Sequence, residues 1–213
     1  MTLSAPAPTT TKKPSRPSDR FVAYVLGLCE SKQTRAELRR GLGLPVERCN
    51  YLHRYLVPWT AEAHPDAKRA HYAVAALIAA RPRTARDLPA PGAADGEGGA
   101  ARRARANLGA ALGRAVTQGV LKPASAESAL HLMSRQSADA VHPGLPALTR
   151  QLMSGGIPVD WAVLLEDLAW WNRDRDRIAT AWLEGYFRIT SAQITPDDPG
   201  ADETPDVTEE NQR

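Results

Sequence analysis

Between Arg20 and Ile189 the apolar residues of this chain recur every three or four positions, and no run of alternating β-branched residues stands between turn signals. Side chains repeating at that interval line one side of an α-helix, so burying them confines the chain to helix-on-helix packing. The expected fold is all-α: about nine helices in two small bundles packed together.

Local signals divide the helical span. Pro17 and Ser18 open a first helix with an apolar stripe through Phe21, Val22, Val25, Leu26, Leu28 and Cys29. Thr34 and Glu37 have the spacing of a capping box, Gly43 stands where a left-handed helix stop belongs, and the second helix is expected over Arg35–Leu42. A third spans Val46–Leu56, stopped by Pro58, and a fourth runs from Pro65 to the residues before Pro82. Residues 82–101 are dominated by Ala, Gly and Pro and read as a flexible loop. A fifth helix follows over Arg102–Gln118, ended by Gly119. Ser125–Ser137, Gly144–Ser154, Asp160–Trp171 and Arg173–Ile189 complete the set, with Gly155, Gly156 and Pro158 forcing a turn and Asp160 placed to cap. The domain reading is a disordered tail over 1–18, an N-terminal bundle over 19–121, a C-terminal bundle over 122–190 and an acidic disordered tail over 191–213.

Charge separates these parts. The net charge of the 213 residues is +3, but residues 1–20 carry +3 and residues 191–213 carry −6, which leaves +6 on the span that can fold. A basic folded body favours polyanionic partners. Cys29 and Cys49 lack CxxC spacing and lie in helical stretches, so both are expected as free buried thiols in a reducing cytoplasm. No membrane span and no secretion signal is visible. The five histidines show no metal-ligand spacing, and there is no nucleophile elbow or Walker loop. The expectation is a protein with no catalytic residue, cofactor, metal or small-molecule substrate.

The candidate binding residues are therefore cations on helix faces. In the second helix Leu38 and Leu42 pack, which turns Arg35, Arg39 and Arg40 outward. In the fifth, Arg103 and Arg114 are eleven positions apart and only about 20° from each other around the axis, with Asn107 and Ala110 on their side and Leu108 and Leu112 opposite. Arginine suits a phosphate backbone because its planar fork donates two hydrogen bonds to one phosphate. Lys68, Arg69 and Arg135 extend the candidate set. Trp161, Leu164, Leu165, Leu168 and Trp171 share one face and read as core against Ile178, Trp182, Tyr186 and Ile189, whereas Trp170 points away and is a candidate contact. The alternating run from Arg173 to Arg177 reads as a solvated face with its own ion pairs, Arg173 excepted. Glu166 and Asp167 diverge around their helix and read as surface carboxylates.

Three stretches in order, Ala36-Glu37-Leu38-Arg39-Arg40, Asn107-Leu108-Gly109, and Val159-Asp160-Trp161 leading to Leu168-Ala169-Trp170-Trp171, resemble the CasB family, the small subunit of type I-E CRISPR surveillance complexes. The resemblance spans about residues 20–189. It implies a non-catalytic subunit present as two copies beside the backbone subunits of an RNA-guided complex. There it holds target DNA, especially the displaced strand, with guide RNA as a further candidate contact. Base pairing to the guide reads sequence in such systems, so the subunit needs only sequence-blind backbone affinity. Arg40 then falls in the Leu-Arg-Arg motif, Arg150 on the basic helix before Asp-Trp, and Arg173 after the Trp pair. The chain departs from the family in having Glu127-Ser128-Ala129 where an Arg-Arg-aromatic element opens a helix, and Ala110 where a basic residue follows Leu-Gly. The alternatives are a helical scaffold binding acidic protein surfaces and a small metal-dependent nuclease, which the missing ligands disfavour.

Overall fold

The structure is a computed structural model in which residues 16–86 and 105–192 are described. Among them are eight α-helices, three short 3-10 turns and no strand. The helices are α1 (Pro17–Leu28), α2 (Lys32–Arg40), α3 (His53–Thr60), α4 (Pro65–Ala79), α5 (Leu108–Thr117), α6 (Pro123–Ser134), α7 (Ala138–Ser154) and α8 (Trp161–Ser191). The all-α expectation holds. Residues 1–15, 87–104 and 193–213, with most of both expected tails and of the expected loop, lie outside the described residues, while Pro17 and Ser18 from the one tail and Ser191 from the other are helical.

α8 organises the fold, because it packs against α1, α4, α5, α6 and α7. It corresponds to two of the expected helices joined across a kink at Asp174, whose backbone (φ −142°, ψ 32°) leaves helical geometry. Trp171 and Trp182 stand on either side of that kink with ring centroids 4.8 Å apart, both fully buried. Each indole N–H is satisfied: Trp171 Nε1 donates to the Gln136 carbonyl at 3.0 Å, and Trp182 Nε1 to the Asp167 carboxylate at 2.7 Å. The aromatic stripe is core, as its periodicity predicts, and Trp170 is 49% exposed.

α5 lies close against the second half of α8. A Cβ on Gly109 would stand 1.7 Å from the Trp182 carbonyl oxygen, so only glycine allows this approach. Asn107 completes the junction: its Oδ1 accepts from the Ala110 amide at 2.9 Å as the N-cap, while its Nδ2 donates to the Ala181 carbonyl at 2.7 Å. Asn107-Leu108-Gly109 is thus a helix start and a helix contact in three residues.

Several local expectations need correction. The cap of α2 is Ser31, whose hydroxyl accepts from the Thr34 amide, and Glu37 is spent on other partners. Val46–Leu52 forms two 3-10 turns, and α3 runs through Pro58 to Thr60. α7 starts six residues before Gly144 and contains both Pro143 and Pro146. Arg83–Ala85, inside the expected loop, is a 3-10 turn that buries Ala85. Gly43 adopts the left-handed conformation expected of it (φ 72°), Gly119, the expected helix end, does so too (φ 73°), and Asp160 caps α8 by accepting from the Ala162 and Val163 amides.

Candidate nucleic-acid interface

The cations divide into those neutralised inside the fold and those left without a carboxylate. Among the neutralised, Arg105 is the deepest: Nε and Nη2 grip the two oxygens of Asp160 at 2.6 Å each, and Nη1 reaches Asp19 at 2.7 Å. Arg16 continues the chain to Asp19 at 3.2 Å and Glu166 at 3.0 Å, and Ser18 also donates to Glu166. This network ties the start of α1 and the approach to α5 onto the cap and first two turns of α8. Burial pushes the Asp160 carboxyl up, and the two amides and the adjoining guanidiniums oppose that push. Nothing in helical periodicity marks Arg105, which precedes its helix; its role comes from a contact 55 residues away.

Glu166 and Asp167 diverge as expected, but neither is a free surface carboxylate. Asp167 is pushed up to about 6 by burial, with the Trp182 indole opposing. Arg54 pairs with Glu37 and lies 4.7 Å over the Tyr55 ring, while the Tyr55 hydroxyl donates to the same carboxylate at 2.8 Å. The hydrogen bonds from Arg54 and Tyr55 hold the Glu37 carboxyl below its ordinary range. Arg69, a predicted binding residue, pairs with Asp139 at the start of α7. It ties α4 to α7 beside His142, whose imidazole is pushed down to about 4 by burial and then by the Arg69 charge. As placed, Arg69 is a structural cation.

The fifth-helix face also needs correction. α5 begins at Leu108, and every residue from Leu108 to Gly113 is buried. The side carrying Asn107 and Ala110 packs on α8 and offers no approach to a phosphate backbone, because small residues there serve helix contact. Arg114 is half-buried, its Nε enclosed without a partner among the described residues, and burial lowers its pKa. Arg103 lies outside the described residues.

The remaining predicted cations have no carboxylate partner among the described residues. Arg39 and Arg40 are exposed at the end of α2, with Arg40 5.3 Å over the Tyr51 ring. Lys68 is half-buried on α4, and Arg150 is exposed on α7. Arg135 is exposed at the end of α6, and Arg173 is exposed with its guanidinium 5.4 Å over the Trp170 ring. Arg175 and Arg177 are paired with Asp176 and Asp174, so Arg173 is the unpaired cation of that run, as its sequence suggests. The structure brings two groups together. Arg39 and Arg40 share the tip of α2. Arg173 borders a hollow of about 340 Å³ with Ser137 and Asn172, and Arg135 sits two residues before Ser137. No helix is long and apolar enough to cross a membrane, and no cluster of His, Cys, Asp or Glu could hold a metal, among the described residues.

The family model for CRISPR-associated protein Cse2 matches residues 34–187. No curated protein matches the chain. Among solved structures, a chain of a CRISPR RNA-guided surveillance complex is 36% identical, covering 83% of this chain and 95% of its own, with a TM-score of 0.70. A chain of such a complex described as pre-nicking is 37% identical over the same shares, with a TM-score of 0.72. CasB of M. ruber is 21% identical over 84% of this chain and 96% of its own and has the same fold, at a TM-score of 0.66. The Leu-Arg-Arg, Asn-Leu-Gly and Asp-Trp elements fall within the matched span, and the chain belongs to the Cse2 (CasB) family of CRISPR-associated proteins.

Proposed function

We propose that this chain is the non-catalytic small subunit of a type I-E CRISPR RNA-guided surveillance complex in the cytoplasm. It holds target DNA, above all the displaced strand, without reading its sequence, and so stabilises the R-loop in antiviral defence. The observation that carries the reading is that Arg39, Arg40, Arg135, Arg150 and Arg173 are exposed without a carboxylate partner among the described residues, whereas Arg54, Arg69, Arg105, Arg175 and Arg177 are each held by one. Unpaired guanidiniums on rigid helices donate to phosphates without reorganising the fold. The membership of similar chains in surveillance complexes supports partners within such a complex; backbone subunits and a second copy of this chain are the partners of this reading. Its two halves, 19–121 and 122–190, then act as two bundles sharing α8.

The test is the assembled complex binding target duplex across a salt series. Arg39→Ala with Arg40→Ala lowers affinity equally for matched targets of different sequence and reduces the salt slope by about one unit for each phosphate no longer neutralised. An unchanged slope refutes the assignment of that face. An adaptor that binds acidic protein surfaces shows instead no shift of unrelated duplex or single-stranded DNA at low salt by the isolated protein.

A further inference from the structure

Three arginines stand near the end of α1: Arg35 from α2, Arg81 just past α4, and Arg86 after the following 3-10 turn. All three lie within electrostatic reach of the Cys29 thiol, and Arg81 within reach of the other two. Each is half-buried. None pairs with a carboxylate among the described residues. Their bonds are to backbone carbonyls: Arg35 Nη1 donates to Cys29 O at a long 3.5 Å, and Arg81 Nε to Ile78 O at 3.0 Å. Arg86 Nε is enclosed with no partner among the described residues.

Folding a protein around three partly desolvated cations, one of them repelled by both others, is unfavourable unless an anion completes them, because an unpaired buried charge costs more than a paired one. Arg105 stands in contrast, since two carboxylates complete its guanidinium. The Arg81 pKa is lowered by burial and by Arg86 and Arg35, in keeping with an uncompensated group. Arg35 and Arg39 are also one turn apart on α2, so the cluster continues toward the exposed α2 cations.

We infer that Arg35, Arg81 and Arg86 form an oxyanion site that takes one phosphate group. The guanidinium forks are its donors, Arg81 through its Nη atoms, since its Nε is occupied. That this phosphate is a phosphodiester of a nucleic-acid strand rests on the function proposed above; that the site takes a phosphate oxyanion does not.

The experiment has two arms on the full chain. In the first, inorganic phosphate is titrated at constant ionic strength against chloride while thermal unfolding is followed. Phosphate raises the wild-type Tm by roughly 3–6 °C at ten times its Kd, and Arg86→Gln and Arg81→Gln lose that increment. In chloride at low salt both variants are at least as stable as wild type, because each removes an uncompensated charge; a merely structural arginine would destabilise instead. Arg86→Lys keeps the charge without the fork and retains a partial increment. No phosphate-specific stabilisation, an increment undiminished in every variant, or an equal rise with glutamate overturns the site. In the second arm, labelled single-stranded DNA is bound across a salt series. Arg81→Gln lowers the slope by about one unit if the phosphate is a phosphodiester. A stabilisation by phosphate that survives with unchanged DNA binding keeps the site, assigns it to a free anion, and overturns only the phosphodiester source.

Discussion

Replacing Asp160 by asparagine isolates the ion pair that fixes α8 to the rest of the protein. The carboxylate is 4% exposed as a residue, accepts two bonds from Arg105 at 2.6 Å, and caps α8 through two amides at 3.1 Å. The asparagine amide keeps a cap acceptor of nearly the same shape but leaves Arg105 with only Asp19. Breaking a buried pair from one side costs about 3–5 kcal/mol. Because Asp19 remains at 2.7 Å, the low end applies, about 3 kcal/mol. Asp160→Ala loses the cap as well, about 1 kcal/mol more. For a chain of this length those losses correspond to Tm decreases of roughly 6–12 °C and 8–16 °C. Calorimetry or circular dichroism at neutral pH reads both. The double variant Asp160→Asn/Arg105→Met should be more stable than Asp160→Asn alone, since no guanidinium is then left short of its partner. A loss below about 1 kcal/mol for Asp160→Asn would place the pair with ordinary surface salt bridges and refute the argument that it locks the fold.

Gly109→Ala forces α5 off the Trp182 carbonyl and destabilises by about 3 kcal/mol or more, whereas Gly144→Ala, with nothing within 4 Å of its added methyl, stabilises by about 0.5–1 kcal/mol; denaturant midpoints compare them. Asp167, pushed up to about 6 from 3.8, favours the protonated form in the fold, so its contribution is best below pH 4 and is lost as pH rises through 6. Asp167→Asn retains the acceptor for Trp182 and should stabilise at pH 7.5 by up to about 3 kcal/mol, with the gain vanishing near pH 4; equal effects at both pH values would contradict this. Trp170→Ala should leave the Tm nearly unchanged, because the ring is half-exposed, while weakening single-stranded DNA binding by about 1–3 kcal/mol; unaltered binding removes the ring from the interface.

How much of this was legible follows from the range of each interaction. Trp161 through Trp171 and Ile178 through Tyr186 were placed in the core by periodicity, and Trp170 outside it, because side-chain direction on a helix is a local property. Gly43, Gly119 and Asp160 were legible for the same reason. Pro58 and Pro143 fall at expected helix boundaries, yet packing holds helices through both against their local preference. Helical periodicity presents Arg69 and Arg114 as outward cations because their surroundings are not local. Asp139 is 70 residues from Arg69, and the burial of Arg114 comes from the helices packed around it. The nearness of Arg35 and Arg86 to Arg81 was invisible for the same cause: the three are separated by helices and turns that only the fold closes.

The pairing of charge separates the two uses of arginine on this chain. A cation that serves the fold has to offset its own desolvation, and Arg105, Arg16 and Arg69 each do so with carboxylates from distant segments. A cation held for a partner is best kept unpaired, since an internal carboxylate would compete with every incoming phosphate. Arg54 marks the boundary: it stands on the helix after the α2 tip, yet Glu37 neutralises it and Tyr55 fixes that carboxylate in place. It follows that Arg54→Ala should not reduce the salt slope of DNA binding, whereas Arg39→Ala or Arg40→Ala should. Glu37→Gln should raise affinity by freeing Arg54. A net positive charge alone would predict the same loss for all three arginines, so their ranking tests whether pairing, and not charge count, selects the binding surface.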